Sequence, residues 1–104
     1  MPMARKEHKR TPKIIGRTLY TEAESVALDS PAWFAWLSSH TTFYLDSPDG
    51  SFTARCEARG GALFWYAFRR SRKKLSKVYL GRAEDLCYAR LLRAAQALRA
   101  KAGA

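Results

Sequence analysis

Hydrophobic positions along the chain follow two periods, and the change from one to the other divides it. Between residues 51 and 59 apolar and polar side chains alternate: Phe52, Ala54, Cys56 and Ala58 fall on one face, Thr53, Arg55, Glu57 and Arg59 on the other. A period of two belongs to a strand with one buried face. Shorter runs at 43–46, 63–70 and 75–80 read the same way. Ser47-Pro48-Asp49-Gly50 supplies a tight turn before the second strand, and Gly60-Gly61 supplies the positive-φ pair of a hairpin before the third. A basic loop, Ser71-Arg72-Lys73-Lys74, leads into the fourth strand, which Gly81 ends.

On either side of this block the pattern turns helical. Thr21-Glu22-Ala23-Glu24 has the form of a capping box and predicts a short helix to Leu28. Ser30 followed by Pro31 is a stronger start signal, because the hydroxyl caps free N–H groups and proline loses nothing in a first turn. A helix over 31–38 places Trp33, Trp36 and Leu37 in the core with Phe34 on the flank. The stretch 83–100 is rich in Ala, Leu and Arg, and Cys87, Leu91, Ala94, Ala95 and Leu98 share one helical face. The expected fold is α+β, with a short N-terminal helix and a three- to four-stranded antiparallel sheet packed on one side by a C-terminal helix. The other side of such a sheet must be polar or bound to something.

Charge changes the picture more than overall composition does. The chain has 104 residues and a net charge of +10, with 47% hydrophobic residues, enough for one compact domain. Residues 1–17 carry six bases against Glu7 and read as a basic, flexible arm, leaving 18–104 as a single nucleic-acid-binding domain. Residues 18–54 contain five acids and no Lys or Arg. Residues 55–82 hold nine bases against Glu57, interleaved with Phe64, Trp65, Tyr66, Phe68 and Tyr79, which is the footprint of a polyanion site.

If the apolar face of the second strand meets the helix, its free face presents Thr53, Arg55, Glu57 and Arg59. For the third strand, Phe64, Tyr66 and Phe68 are placed under the helix and Trp65, Ala67 and Arg69 outside, because the second set ends in arginine. A slip of one residue would exchange Trp65 with Tyr66 and Arg69 with Arg70. On the fourth strand Val78 and Leu80 point inward, Lys77 and Tyr79 outward. The base-facing set is then Thr53, Arg55, Arg59, Trp65, Arg69 and Lys77, since arginine bonds bidentately to guanine in the major groove. Arg10, Lys13, Arg70, Arg72, Lys73, Lys74 and Tyr79 would neutralise or contact phosphate, contributing affinity rather than sequence information. Glu57 either accepts from cytosine or, the favoured reading, pairs with a neighbouring arginine.

The run Ser51-Phe-Thr-Ala-Arg-Cys-Glu-Ala-Arg-Gly-Gly-Ala-Leu-Phe-Trp-Tyr-Ala-Phe-Arg-Arg, then Leu75-Ser-Lys-Val-Tyr-Leu-Gly and a helix with Ala89-Arg90, resembles the sheet-plus-helix DNA-binding domains of tyrosine integrases, of arm-type N-terminal form, and of plant ethylene-response factors. It is also similar to a segment of bacterial proteins near LuxR-type regulators. The resemblance implies groove reading from the sheet by Arg55, Arg59, Trp65, Arg69 and Lys77. An integrase catalytic domain has no counterpart here, so the implied role is a transcriptional or accessory recombination factor that binds double-stranded DNA.

Other classes are weaker. A double-stranded RNA-binding module has the same order of elements, but Glu84 and Asp85 open the last helix where phosphate would lie. A protein-interaction module, such as an inhibitor of an acidic partner, is the third reading. No Ser-His-Asp, Cys-His or paired-carboxylate arrangement is readable, so no enzyme, catalytic residue or cofactor is expected. Cys56, Cys87, His8 and His40 lack metal-site spacing and read as packing or solvated residues; a Cys56–Cys87 disulfide would need the strand to lie under the helix. With no long apolar run and no apolar leader at the start, the expectation is a soluble cytoplasmic protein, nucleoid-associated if it binds DNA, with no membrane contact. Its oligomeric state is not encoded legibly.

Overall fold

The computed structural model describes residues 11–71 and 74–103. Seven strands form one sheet: β1 (Lys13–Ile15), β2 (Thr18–Tyr20), β3 (Ser25–Ala27), β4 (Thr42–Ser47), β5 (Gly50–Arg59), β6 (Ala62–Ser71) and β7 (Lys74–Gly81). Their order is β3-β2-β1-β4-β5-β6-β7, and every neighbouring pair is antiparallel except β1 and β4, which run parallel. Helices α1 (Pro31–Leu37) and α2 (Tyr88–Gly103) and a 3-10 turn (Ala83–Asp85) complete the described elements.

This mixed seven-stranded sheet replaces the expected three- to four-stranded antiparallel one. The difference lies in residues 11–27. Each of β1, β2 and β3 is three residues long and buries only its central side chain, Ile14, Leu19 or Val26. Three residues are too few to display a period. The stretch assigned to a flexible arm thus enters the sheet from Lys13, and Pro12 already accepts a bond from the Tyr44 amide at 2.8 Å. The predicted helix at 21–28 is instead a reversal between β2 and β3. Thr21 Oγ1 accepts from the Ala23 and Glu24 amides, as a cap would, but the Thr21 amide also donates to the Glu24 carbonyl at 2.9 Å and closes the turn. A threonine side chain that bonds local backbone serves a turn as readily as a helix start.

Elsewhere the local signals match the elements. Ser30 caps α1 by accepting from the Trp33 amide at 3.3 Å, with Pro31 in the first turn. Trp33, Trp36 and Leu37 are buried; Trp33 stacks on Trp36, meets Phe43 edge-on, and donates its Nε1–H to the Leu86 carbonyl at 2.7 Å. Leu91, Ala94, Ala95 and Leu98 form the buried stripe of α2. That helix starts later than the pattern implied: residues 83–85 form a separate 3-10 turn, whose start is capped by the Arg82 amide donating to the Asp85 carboxylate. The amide of Tyr88 then donates to Asp29 Oδ1 at 2.8 Å.

Ile14, Leu19, Phe43, Leu45, Phe52, Ala54, Trp65, Ala67 and Leu80 form one core with α1 and α2 on a single side of the sheet. The sheet itself comprises two antiparallel meanders, β1–β3 and β4–β7, joined by the three-residue parallel ladder of Lys13, Ile14 and Ile15 with Tyr44, Leu45 and Asp46.

Candidate nucleic-acid interface

With both helices on one side, register alone decides what the other side carries, because directly opposed residues in neighbouring strands point the same way. One rung crosses the whole sheet: Ser25, Tyr20, Lys13, Tyr44, Thr53, Phe68 and Lys77. The next runs Thr42, Arg55, Tyr66 and Tyr79, and beyond it Glu57 opposes Phe64. The open face is therefore a field of aromatic rings interleaved with cations.

The rings and cations touch. Arg55 lies 5.9 Å from the Phe68 centroid, Arg59 5.4 Å from Tyr66, and Lys77 4.3 Å from Tyr66. Arg82 reaches over Phe64 at 5.6 Å. Each distance is within the roughly 6 Å range of a cation–π contact. Glu57 bonds Arg59 at 2.8 Å and Lys77 at 3.4 Å, so its pairing role is realised. The bond from Arg59 holds the Glu57 carboxyl below its ordinary value, against a smaller opposing effect of desolvation and with help from Lys77; the same bond raises Arg59. On the covered side, burial pushes the Cys56 thiol up, with the Glu57 charge adding to it. Cys56 and Cys87 are both free thiols.

Of the expected base-facing residues, Thr53, Arg55, Arg59 and Lys77 do share the open face. Trp65 and Arg69 do not. Trp65 is 1% exposed and packs against Phe43 with centroids 5.3 Å apart, so the third-strand phase is the slipped one, with Phe64, Tyr66, Phe68 and Arg70 outside. Ending in arginine was a poor guide, since an arginine can lay its aliphatic stem along a core and bring its head to the edge. Arg69 lies on the helix side, at the β4–β5 turn beside α2, with its Nη1 buried and without a hydrogen-bond partner among the described residues. A Cβ on Gly50 would stand 3.0 Å from Arg69 Nη1, so the glycine, at φ 136°, makes room for it. Among the expected phosphate contacts, Lys13, Arg70 and Tyr79 lie on the open face and Lys74 is exposed at the start of β7; Arg10, Arg72 and Lys73 lie outside the described residues.

Tyr66, Phe68, Phe64, Tyr44 and Arg82 join this face without having been placed on it by the sequence. The signal for three of them was present. Gly60-Gly61, both at positive φ, make a two-residue hairpin turn that forces Arg59 opposite Ala62, hence Glu57 opposite Phe64 and Arg55 opposite Tyr66. Once Arg55 and Glu57 face outward, Phe64, Tyr66 and Phe68 must follow.

Among the described residues no group of three or more His, Cys, Asp or Glu gathers as a metal site, and no helix is long and apolar enough to cross a membrane. Comparison with protein-family models, curated proteins and solved structures finds no match for this chain.

Proposed function

We propose that the chain binds double-stranded DNA through the open face of its sheet, inserting the β5–β6 hairpin and the adjoining β7 into the major groove, and serves as a transcriptional or accessory recombination factor. The observation that carries this reading is the segregation of the two faces: apolar side chains and both helices on one, and Lys13, Arg55, Arg59, Arg70 and Lys77 among aromatic rings on the other. Only Asp46 and Glu57 bring negative charge to that side from the strands, and Glu57 is already paired.

The shape supports a groove rather than a flat partner. The ladder to β4 stops at Arg55, with the Cys56 amide still donating to the Thr41 carbonyl at 2.9 Å, and that to β7 stops at Trp65, so residues 57–59 and 62–64 extend beyond both neighbours as a two-stranded ribbon. At about 3.3 Å per residue the ribbon projects by roughly 10 Å. A two-stranded ribbon fits the major groove, where Arg55 and Arg59 have the fork geometry for guanine and Thr53 offers a methyl to thymine. Tyr66 and Phe68 lie among the arginine and lysine heads; Tyr79 stands at the foot of the ribbon, and Lys13, Arg70 and Lys74 lie farther back along the sheet, suited to more distant phosphates. A cytoplasmic, nucleoid-associated protein follows from the same reading.

The deciding experiment is selection from a random-sequence duplex pool at two salt concentrations, beside a double-stranded RNA of equal length. Enrichment of a short motif that survives the higher salt is expected. Equal binding to DNA and RNA that vanishes with salt would overturn groove reading, and absence of any nucleic-acid binding would return the face to an acidic protein partner.

A further inference from the structure

Near the start of β4 the open face sinks into a hollow of about 850 Å³, bounded by Lys13 on one side and Arg55 on the other and lined by Thr41, Thr42, Tyr44 and Thr53. Lys13 and Arg55 belong to β1 and β5, which flank β4, and face Tyr44 and Thr42, so they stand two strand spacings apart and two residues offset, roughly 12 Å. Long side chains from both walls reach a group seated between them. The hollow is large enough for more than an ion, within the usual range of about 300–1,000 Å³ for small-ligand sites.

Its chemistry is selective. No carboxylate is among the described residues that line it. Arg59 and Lys77 share Glu57, and Arg17 pairs with Asp29, whereas neither Lys13 nor Arg55 has an ion-pair partner among the described residues. Arg55 lies within cation–π range of Phe68, and its guanidinium makes no hydrogen bond or ion pair among the described residues. Thr42 donates its hydroxyl to the Ala54 carbonyl at 3.1 Å, while the hydroxyls of Thr41, Thr53 and Tyr44 remain as neutral donors between the two charges. A compact lysine charge, a planar arginine fork and several hydroxyls together match the oxygens of a phosphate group.

We propose that this hollow is a phosphate seat, which takes the phosphate group of a nucleotide unit between Lys13 and Arg55. It rests on the nucleic-acid reading in that the unit is part of a strand lying along β4 and β5; a free nucleotide or inorganic phosphate presents the same group. Seated there, one phosphate takes up the Arg55 fork in place of a base and fixes how far the strand slides along the sheet, and so which bases reach Arg59 and Lys77. Lys13 and the threonines act as positioning residues for that register.

The test is a titration of the full chain with inorganic pyrophosphate at constant ionic strength, followed by amide chemical shifts, in the wild type, Lys13→Gln and Thr53→Val. The Lys13 side chain is exposed, so Lys13→Gln retains the fold, which a melting curve verifies. Shifts confined to Thr41, Thr42, Thr53 and Arg55 are expected, with pyrophosphate binding about tenfold weaker in Lys13→Gln, as for a lost charged contact, and a few-fold weaker in Thr53→Val. Shifts spread over Arg70, Lys74 and Lys77 alike, or unchanged affinity in folded Lys13→Gln, would overturn the seat. Duplex selection separates the two ideas. Localised shifts without an enriched motif retain the seat for a free phosphate-bearing ligand and remove the groove reading, and an enriched motif without localised shifts does the reverse.

Discussion

Trp65 and Tyr66 are adjacent, equally aromatic and opposite in consequence. Trp65 fills the space beside Phe43, so Trp65→Ala is expected to cost about 3–5 kcal/mol in urea denaturation. Tyr66 is half-buried under the guanidinium of Arg59 and the ammonium of Lys77, so Tyr66→Ala should act mainly on duplex affinity, measured at fixed salt, with a smaller change in stability. The opposite ranking would mean that the third strand has the other phase. Glu57 adds a pH test. Because the bond from Arg59 lowers its pKa in the folded chain, its stabilising contribution is present above the ordinary value of 4.5 and is lost as the pH falls through the lowered value. The stability difference between wild type and Glu57→Gln should shrink on acidification, as followed by denaturation at a series of pH values. At this scale the sequence shows residue types well and their direction less well: Arg55 and Arg59 were legible from clean alternation, while the third strand has large apolar side chains on both faces and needs the hairpin register to resolve them.

At the scale of elements, legibility follows length. The strands β5 and β6 have ten residues each, α1 has a serine cap and proline, and α2 has a continuous apolar stripe; all were readable from pattern and turn chemistry. Nothing comparable marks β1, β2 and β3, which are held by pairing with one another and by β4 rather than by any signal of their own. Ile14 gives the measurement that tests this arrangement. It is 0% exposed at the centre of β1, so Ile14→Ala is expected to cost about 2–5 kcal/mol in thermal or chemical denaturation. An arm lying free of the sheet would show no such loss.

The whole molecule joins a basic, aromatic face to a covered apolar one, and its net charge of +10 makes ionic strength a quantitative probe of the proposed duplex binding. For duplex DNA the logarithm of affinity should fall linearly with the logarithm of salt, and Lys13→Gln should flatten that slope by about one unit, while Trp65→Ala, if still folded, leaves it unchanged. The charge distribution was legible from the sequence; that all of the large apolar strand residues of the core lie on one side was not, since it depends on where the first three strands dock. The same docking leaves the sheet with one weak joint. Backbone pairing between the two meanders rests on the short parallel ladder of β1 and β4, and parallel pairing is slightly less stable per residue. The β1–β3 unit should therefore open as a cooperative piece ahead of the rest, with amide hydrogens of Leu19 and Val26 exchanging before those of Ala54 and Ala67. The phosphate seat spans that joint, with Lys13 on one side and Arg55 on the other, so an occupied seat would fasten the two pieces together and slow exchange in both at once.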